Sequence, residues 1–103
     1  MELYNTTAKG IETFKPLKDG EVKMYCCGPT VHDFAHIGNF RARIFYDVLK
    51  RSFEYLGFKV TQIINITDVD DKTIRNSKKA NMDLRAYTEI YTKFFIEDSN
   101  KLY

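Results

Sequence analysis

The stretch MYCCGPTVHDFAHIGN, Met24 to Asn39, puts two adjacent cysteines, two histidines and two glycines at a junction between two backbone periods. Leading into it, Val22-Lys23-Met24-Tyr25-Cys26-Cys27 is a brief, mostly apolar run ended by Gly28-Pro29, and it reads as a buried strand. Beyond it the period changes. Phe40, Ile44, Phe45, Val48, Leu49, Phe53 and Leu56 fall on one helical face, with Arg41, Asp47, Lys50, Arg51 and Glu54 opposite, and Gly57 is placed to stop that helix.

Further out, Val60 to Ile66 is rich in β-branched residues and reads as a second strand, followed by Thr67-Asp68-Val69-Asp70-Asp71-Lys72 at a helix start. A last helix runs from Leu84 to Lys101 and presents Leu84, Tyr87, Tyr91, Phe94 and Phe95. Towards the N-terminus, Leu3-Tyr4-Asn5 and Ile11-Glu12-Thr13-Phe14 flank a segment containing Gly10, which predicts a short β-hairpin before the connector Lys15 to Gly20. The order strand, helix, strand, helix predicts an α/β fold. Two strands joined by a crossover of this length are parallel neighbours with a right-handed connection, the first half of a nucleotide-binding sheet. With no further strand to receive the last helix, the chain is expected to be the front part of a longer protein.

Composition sets the bounds of that reading. A chain of 103 residues with 44% hydrophobic and 15% aromatic content has room for one marginal core. A net charge of +2 is too small for bulk electrostatic binding of nucleic acid, so any such contact is local. There is no leader and no apolar run approaching a membrane span, which predicts a cytoplasmic protein without a membrane partner. Neighbouring cysteines in a reducing compartment favour metal or thiol chemistry over a disulfide. A small redox protein would use a C-x-x-C spacing, which is absent.

In open α/β sheets ligands lie beyond the carboxyl ends of the strands, where helix N-termini offer N–H groups to anions. The opening stretch is such an end: Gly38 permits close approach, and His36 and Asn39 carry donors for phosphate oxygens. It is neither a Walker loop nor a G-x-G-x-x-G dinucleotide loop. If Tyr25 to Cys27 is extended, Cys26 and Cys27 point to opposite faces, one towards a ligand and one into the core. Thr67 or Asp68, backed by Asp70 and Asp71, is a sufficient helix cap, and the spacing excludes an EF-hand. Among the basic residues Arg41, Arg43, Lys50, Arg51, Lys72, Arg75, Lys78 and Lys79, interleaved acids make a solvated face the reading for most.

His36-Ile37-Gly38-Asn39 resembles the HIGH signature of class I aminoacyl-tRNA synthetases. With the Cys27-Gly28-Pro29-Thr30 turn before it and Asn65-Ile66-Thr67-Asp68-Val69-Asp70-Asp71-Lys72 after it, the chain is similar to the N-terminal part of the cysteinyl-tRNA synthetases. The resemblance implies a Rossmann-like, HIGH-type nucleotide-binding domain, with residues 1–103 as the N-terminal part of the catalytic domain. It implies a cysteine-tRNA ligase that activates cysteine with ATP and passes it to tRNA(Cys), monomeric at full length and inactive as this piece alone.

The family's site residues carry over by position. His36 and Asn39 are then catalytic; Pro29, Thr30, His36, Gly38 and Asn39 bind ATP. Cys27, Gly28, Thr30, Thr67 and Asp68 form the cysteine pocket, and Cys27 is one ligand of a zinc ion whose other ligands lie outside this chain. Zinc favours thiolate over hydroxyl, which would select cysteine against serine, and Mg²⁺ accompanies the ATP. The family's KMSKS loop is absent from these residues. Two positions depart from its pattern: His32 stands where tyrosine is common and reads as lining or packing, and Asn39 replaces the second signature histidine with an amide that cannot carry charge. A cysteine ligase of the same ancestry acting on an amino sugar in mycothiol synthesis is the nearest alternative. A non-catalytic zinc- or anion-binding fragment is the alternative of another class.

Overall fold

A computed structural model describes residues 1–102. The chain opens with a hairpin of two antiparallel strands, β1 (Glu2–Asn5) and β2 (Gly10–Thr13), with Leu3 opposite Glu12. β3 (Glu21–Cys26) and β4 (Lys59–Ile64) then form a parallel pair in which Val22 faces Val60 and Cys26 faces Ile64. The crossover between them is α1 (Ile37–Tyr55). Two further helices, α2 (Asp71–Lys79) and α3 (Leu84–Leu102), complete the described chain. This is the α/β arrangement the sequence predicts, with its hairpin, its parallel crossover and its closing helices.

The ends of the elements shift for local reasons. β3 stops at Cys26 rather than Cys27, and β4 stops at Ile64 rather than Ile66. Past those points the two chains still run side by side: Asn65 N–H donates to the Cys26 carbonyl at 3.4 Å, Thr67 N–H to Pro29 at 3.0 Å and Val31 N–H to Thr67 at 3.1 Å. A single parallel bridge joins Thr30 to Thr67. Loop and strand end are therefore knitted together where the ligand side of such a sheet lies.

α1 begins at Ile37, earlier than the apolar period from Phe40, because His36 and Asn39 build a cap that periodicity does not register. It ends where glycine predicts. Gly57 takes a φ of 88°, its N–H donates to the Glu54 carbonyl, and the Phe58 N–H donates to Phe53, the paired bonds of a Schellman stop. Of the expected apolar face only Phe53 is fully buried, against Phe14 at 4.7 Å and Phe58 at 5.9 Å between ring centroids. Ile44, Phe45, Val48 and Leu56 on that face are exposed.

The apolar side of α3 is received by the turn after β3 and the start of α1 rather than by a strand. Phe40 stacks on Phe95 at 5.8 Å, and Phe34 meets Tyr91 at 5.2 Å and Phe94 at 4.9 Å. The His32 carbonyl ties both later helices to this turn, accepting from Asn76 Nδ2 at 3.0 Å and from the Tyr87 hydroxyl at 2.8 Å. Burial of Tyr87 raises its phenol to about 12, so it stays a donor across the neutral range.

The cap of α2 is Asp70, not Thr67 or Asp68. Its Oδ1 accepts from Lys72 N–H at 2.8 Å and Thr73 N–H at 2.9 Å, while Thr73 Oγ1 answers to the Asp70 N–H at 2.9 Å. Thr67 is instead engaged by its backbone in the bridge to Thr30. The Thr73 N–H leads the causes that lower the Asp70 carboxyl below its ordinary 3.8. A depressed folded-state value contributes stability that is present above the unfolded value and is lost as pH falls through the folded one. Acid titration of the folded protein is expected to show this loss below pH 3.8, and Asp70→Asn, which keeps an acceptor without a titrating group, to flatten that part of the curve.

Candidate active site

A cleft of about 250 Å³ opens at the carboxyl ends of β3 and β4. One wall is Cys27, Gly28 and Pro29; the other is the first turns of α1, through Gly38, Asn39, Ala42, Arg43 and Tyr46. Ile64 and Phe95 close it from β4 and α3.

The two cysteines separate as alternation demands. Cys26 is 6% exposed and its Sγ accepts from Gln62 Nε2 at 3.6 Å, whereas Cys27 is exposed on the cleft and its Sγ donates to the Gly28 carbonyl at 3.6 Å. The turn that carries Cys27 is held by Gly28. Its N–H donates to Asn65 Oδ1 at 2.7 Å, and a Cβ placed there would lie 1.6 Å from the Asn65 carbonyl oxygen. Glycine is the residue that lets the two strand ends approach this closely.

At the opposite wall, the Gly38 N–H donates to His36 Nδ1 at 3.0 Å and the His36 N–H donates to Asn39 Oδ1 at 3.0 Å. Because Nδ1 accepts, a neutral His36 ring carries its proton on Nε2. Capping thus occupies the acceptors of both side chains and leaves His36 Nε2–H and the Asn39 amide as donors. A Cβ on Gly38 would come within 2.8 Å of the His36 ring, so glycine here makes room for the cap itself.

Not every expected site residue reaches the cleft. His36 caps α1 beside the cleft without lining it, and at the bridge of Thr30 with Thr67 the Thr67 N–H donates to the Pro29 carbonyl and its carbonyl accepts from the Val31 N–H. Asp68 is exposed beside them and does not line the cleft. His32 packs, with Nδ1 3.0 Å from the Thr30 carbonyl oxygen. Sequence reasoning did not single out Asn65, Ala42, Tyr46, Ile64 or Phe95 as site residues. Ala42 and Tyr46 have a sequence signal, since they lie three and seven residues beyond Asn39 on the same helical side; Asn65 has none, because its role depends on the strands being parallel. The described residues gather no group of three or more metal-ligating side chains.

Residues 13–103 match the family of class I (C) tRNA synthetase catalytic domains. The chain belongs to that family. It is 49% identical to a cysteine–tRNA ligase of Methanosarcina mazei over 102 residues, 99% of this chain and 22% of the relative. It is 50% identical to one of Koribacter versatilis over 102 residues, 99% of this chain and 21% of the relative. A sequence of the same name from Staphylococcus xylosus is 50% identical over 100 residues, 97% of this chain and 85% of the relative. The chain therefore spans about a fifth of the length of the first two curated relatives. As a class I (C) domain, its β3–α1–β4 unit is the part that carries the cleft, and no helix among the described residues is long and apolar enough to cross a membrane.

Proposed function

We propose that this chain supplies the cysteine- and nucleotide-facing half of a cytoplasmic cysteine-tRNA ligase, one that converts cysteine and ATP to cysteinyl-adenylate and pyrophosphate and then acylates tRNA(Cys). The observation that carries the reading is that an exposed thiol, Cys27, and the capped start of α1 with Asn39 line one cleft at the strand ends. The relatives' names, cysteine–tRNA ligase, support cysteine as the amino acid of this reading.

In the first step a carboxylate oxygen of cysteine attacks the α-phosphorus of ATP, and the bond to the bridging oxygen of pyrophosphate breaks. Negative charge builds on the α-phosphate oxygens. His36 Nε2–H and the Asn39 amide are donors already fixed by capping, so stabilising that charge costs them no reorganisation. Gly28 keeps the turn close to Asn65 and holds the Cys27 thiol at the cleft. Thr30 and Thr67 act through the bridge that joins the two strand ends, rather than by touching substrate.

An exposed thiol held only by a 3.6 Å contact to the Gly28 carbonyl among the described residues suits a zinc ligand, and Cys27 would contribute one thiolate, the other ligands coming from beyond them. Zinc bound there would supply preference for a thiolate over a hydroxyl, and Mg²⁺ would share the phosphate charge. With one ligand of that centre, the 103-residue chain by itself is expected to catalyse nothing.

Cysteine-dependent exchange between pyrophosphate and ATP tests the reading. The full-length protein carrying this chain is expected to exchange with cysteine and not with serine, and to charge tRNA(Cys) in preference to an amino sugar. Exchange that is indifferent to cysteine, or charging of the sugar alone, contradicts it.

A further inference from the structure

Arg43 lines this cleft as well as a neighbouring groove that holds Asp47 and Arg51, and among the described residues its guanidinium has no hydrogen-bond or ion-pair partner. The residue lies one helical turn beyond Asn39 on the same side of α1 and is half-buried.

The reason is on the helix itself. Arg43, Asp47 and Arg51 follow at intervals of four, and Asp47 can serve either neighbour. An acid pairs better with the base four residues after it than with the one before, because that order agrees with the helix dipole. Asp47 Oδ2 accordingly accepts from Arg51 Nε at 2.8 Å, and Arg43 is left over.

Nor does the cleft answer it. Of the side chains that line the cleft, Arg43 alone carries a formal charge, and none is acidic. A guanidinium beside a cleft without a counter-ion is available to an anion, and its planar fork matches the paired oxygens of a carboxylate or a phosphate. The position also bears on Asn39, whose amide donates but cannot carry positive charge.

We infer that Arg43 is a substrate-binding residue that holds an anionic oxygen group in the cleft, either the carboxylate of the amino acid or the α-phosphate of the nucleotide. The inference rests on the cysteine-activating reading above and adds the cation which that reading lacks at Asn39. In the adenylate those two groups are joined, so one cation is within the reach of both during the reaction.

The experiment is pyrophosphate exchange by the full-length protein with cysteine and ATP each varied, comparing wild type with Arg43→Gln and Arg43→Lys. Wild-type exchange that does not depend on cysteine sinks the functional reading before Arg43 is in question. With wild-type exchange established, Arg43→Gln is expected to raise KM for one substrate about ten- to hundred-fold, the loss of a charge-assisted hydrogen bond. Arg43→Lys, which keeps the charge and loses the fork, should fall between. A rise confined to cysteine assigns the carboxylate, and a rise confined to ATP assigns the phosphate; both support the inference. Arg43 has no internal partner to lose, so both variants should fold with an unchanged thermal midpoint. Unchanged KM for cysteine and ATP in both variants overturns the inference, whatever happens to kcat.

Discussion

Gly28→Ala is expected to destabilise the protein by about 3 kcal/mol or more, read as a fall in the denaturant midpoint. The added methyl would lie 1.6 Å from the Asn65 carbonyl oxygen, 2.8 Å from its carbonyl carbon and 3.1 Å from Ile64 Cγ2. Two of those three atoms are backbone, so no rotamer change relieves the clash. The ends of β3 and β4 must part, which breaks the 2.7 Å bond from the Gly28 N–H to Asn65 Oδ1 and strains the 3.4 Å bond from the Asn65 N–H to Cys26. Overpacking of a tight site costs about 1–3 kcal/mol, and each lost hydrogen bond adds about 1 kcal/mol. Gly10→Ala is the control, because its nearest neighbour would be 3.9 Å away and its effect is expected to be within about 1 kcal/mol. Equal effects from the two substitutions would show that the strand ends are not held as described.

The second large effect is on activity with stability spared. Cys27→Ser in the full-length protein is expected to reduce cysteine-dependent exchange by about a hundred-fold or more, since under the proposed zinc role a serine hydroxyl would be a poor replacement for the Cys27 thiolate. The same substitution should move stability by no more than about 0.5 kcal/mol, because Cys27 is exposed and its thiol donates to the adjacent Gly28 carbonyl at 3.6 Å, a bond a hydroxyl can also make. Cys26→Ser should show the reverse, a loss of stability with exchange retained, because Cys26 is 6% exposed and sits in the core with its sulfur accepting from Gln62 Nε2. If the two serine variants cannot be told apart in this way, the division of labour between the neighbouring cysteines is wrong.

Much of this arrangement is legible in the residues. The change of period between Cys27 and Phe40 locates the crossover, Gly57 locates its end, and alternation predicts that the two cysteines face opposite ways, the resemblance supplying which of them meets the ligand. What escapes is whatever depends on partners brought from a distance or on side chains folding back on the backbone. The period starts at Phe40, yet the helix starts at Ile37, because the bonds of His36 and Asn39 to the main chain have no hydrophobic signature. In the acidic run after β4, Thr67 or Asp68 reads as the cap with Asp70 and Asp71 behind it, yet Asp70 takes the role, its Oδ1 accepting from the Lys72 and Thr73 N–H groups. Arg43 reads as one more solvated charge until the pairing of Asp47 with Arg51 and the position of the cleft are both known. The exposed stripe of Ile44, Phe45 and Val48 fits the same rule: apolar spacing marks a face as able to be covered, and the packing decides how much of it is.

The central claim is that sulfur recognition and phosphate stabilisation come from opposite walls of one cleft, Cys27 on the turn after β3 and Asn39 at the start of α1, with His36 as the cap beside it. A crystal structure of the full-length protein with a non-reactive analogue of cysteinyl-adenylate measures this directly. The account predicts the Cys27 sulfur directed at the bound thiol's site and the phosphate-like group within hydrogen-bonding reach of His36 Nε2 and the Asn39 amide. An analogue bound elsewhere, or a Cys27 side chain turned into the interior away from the bound amino acid, would contradict it.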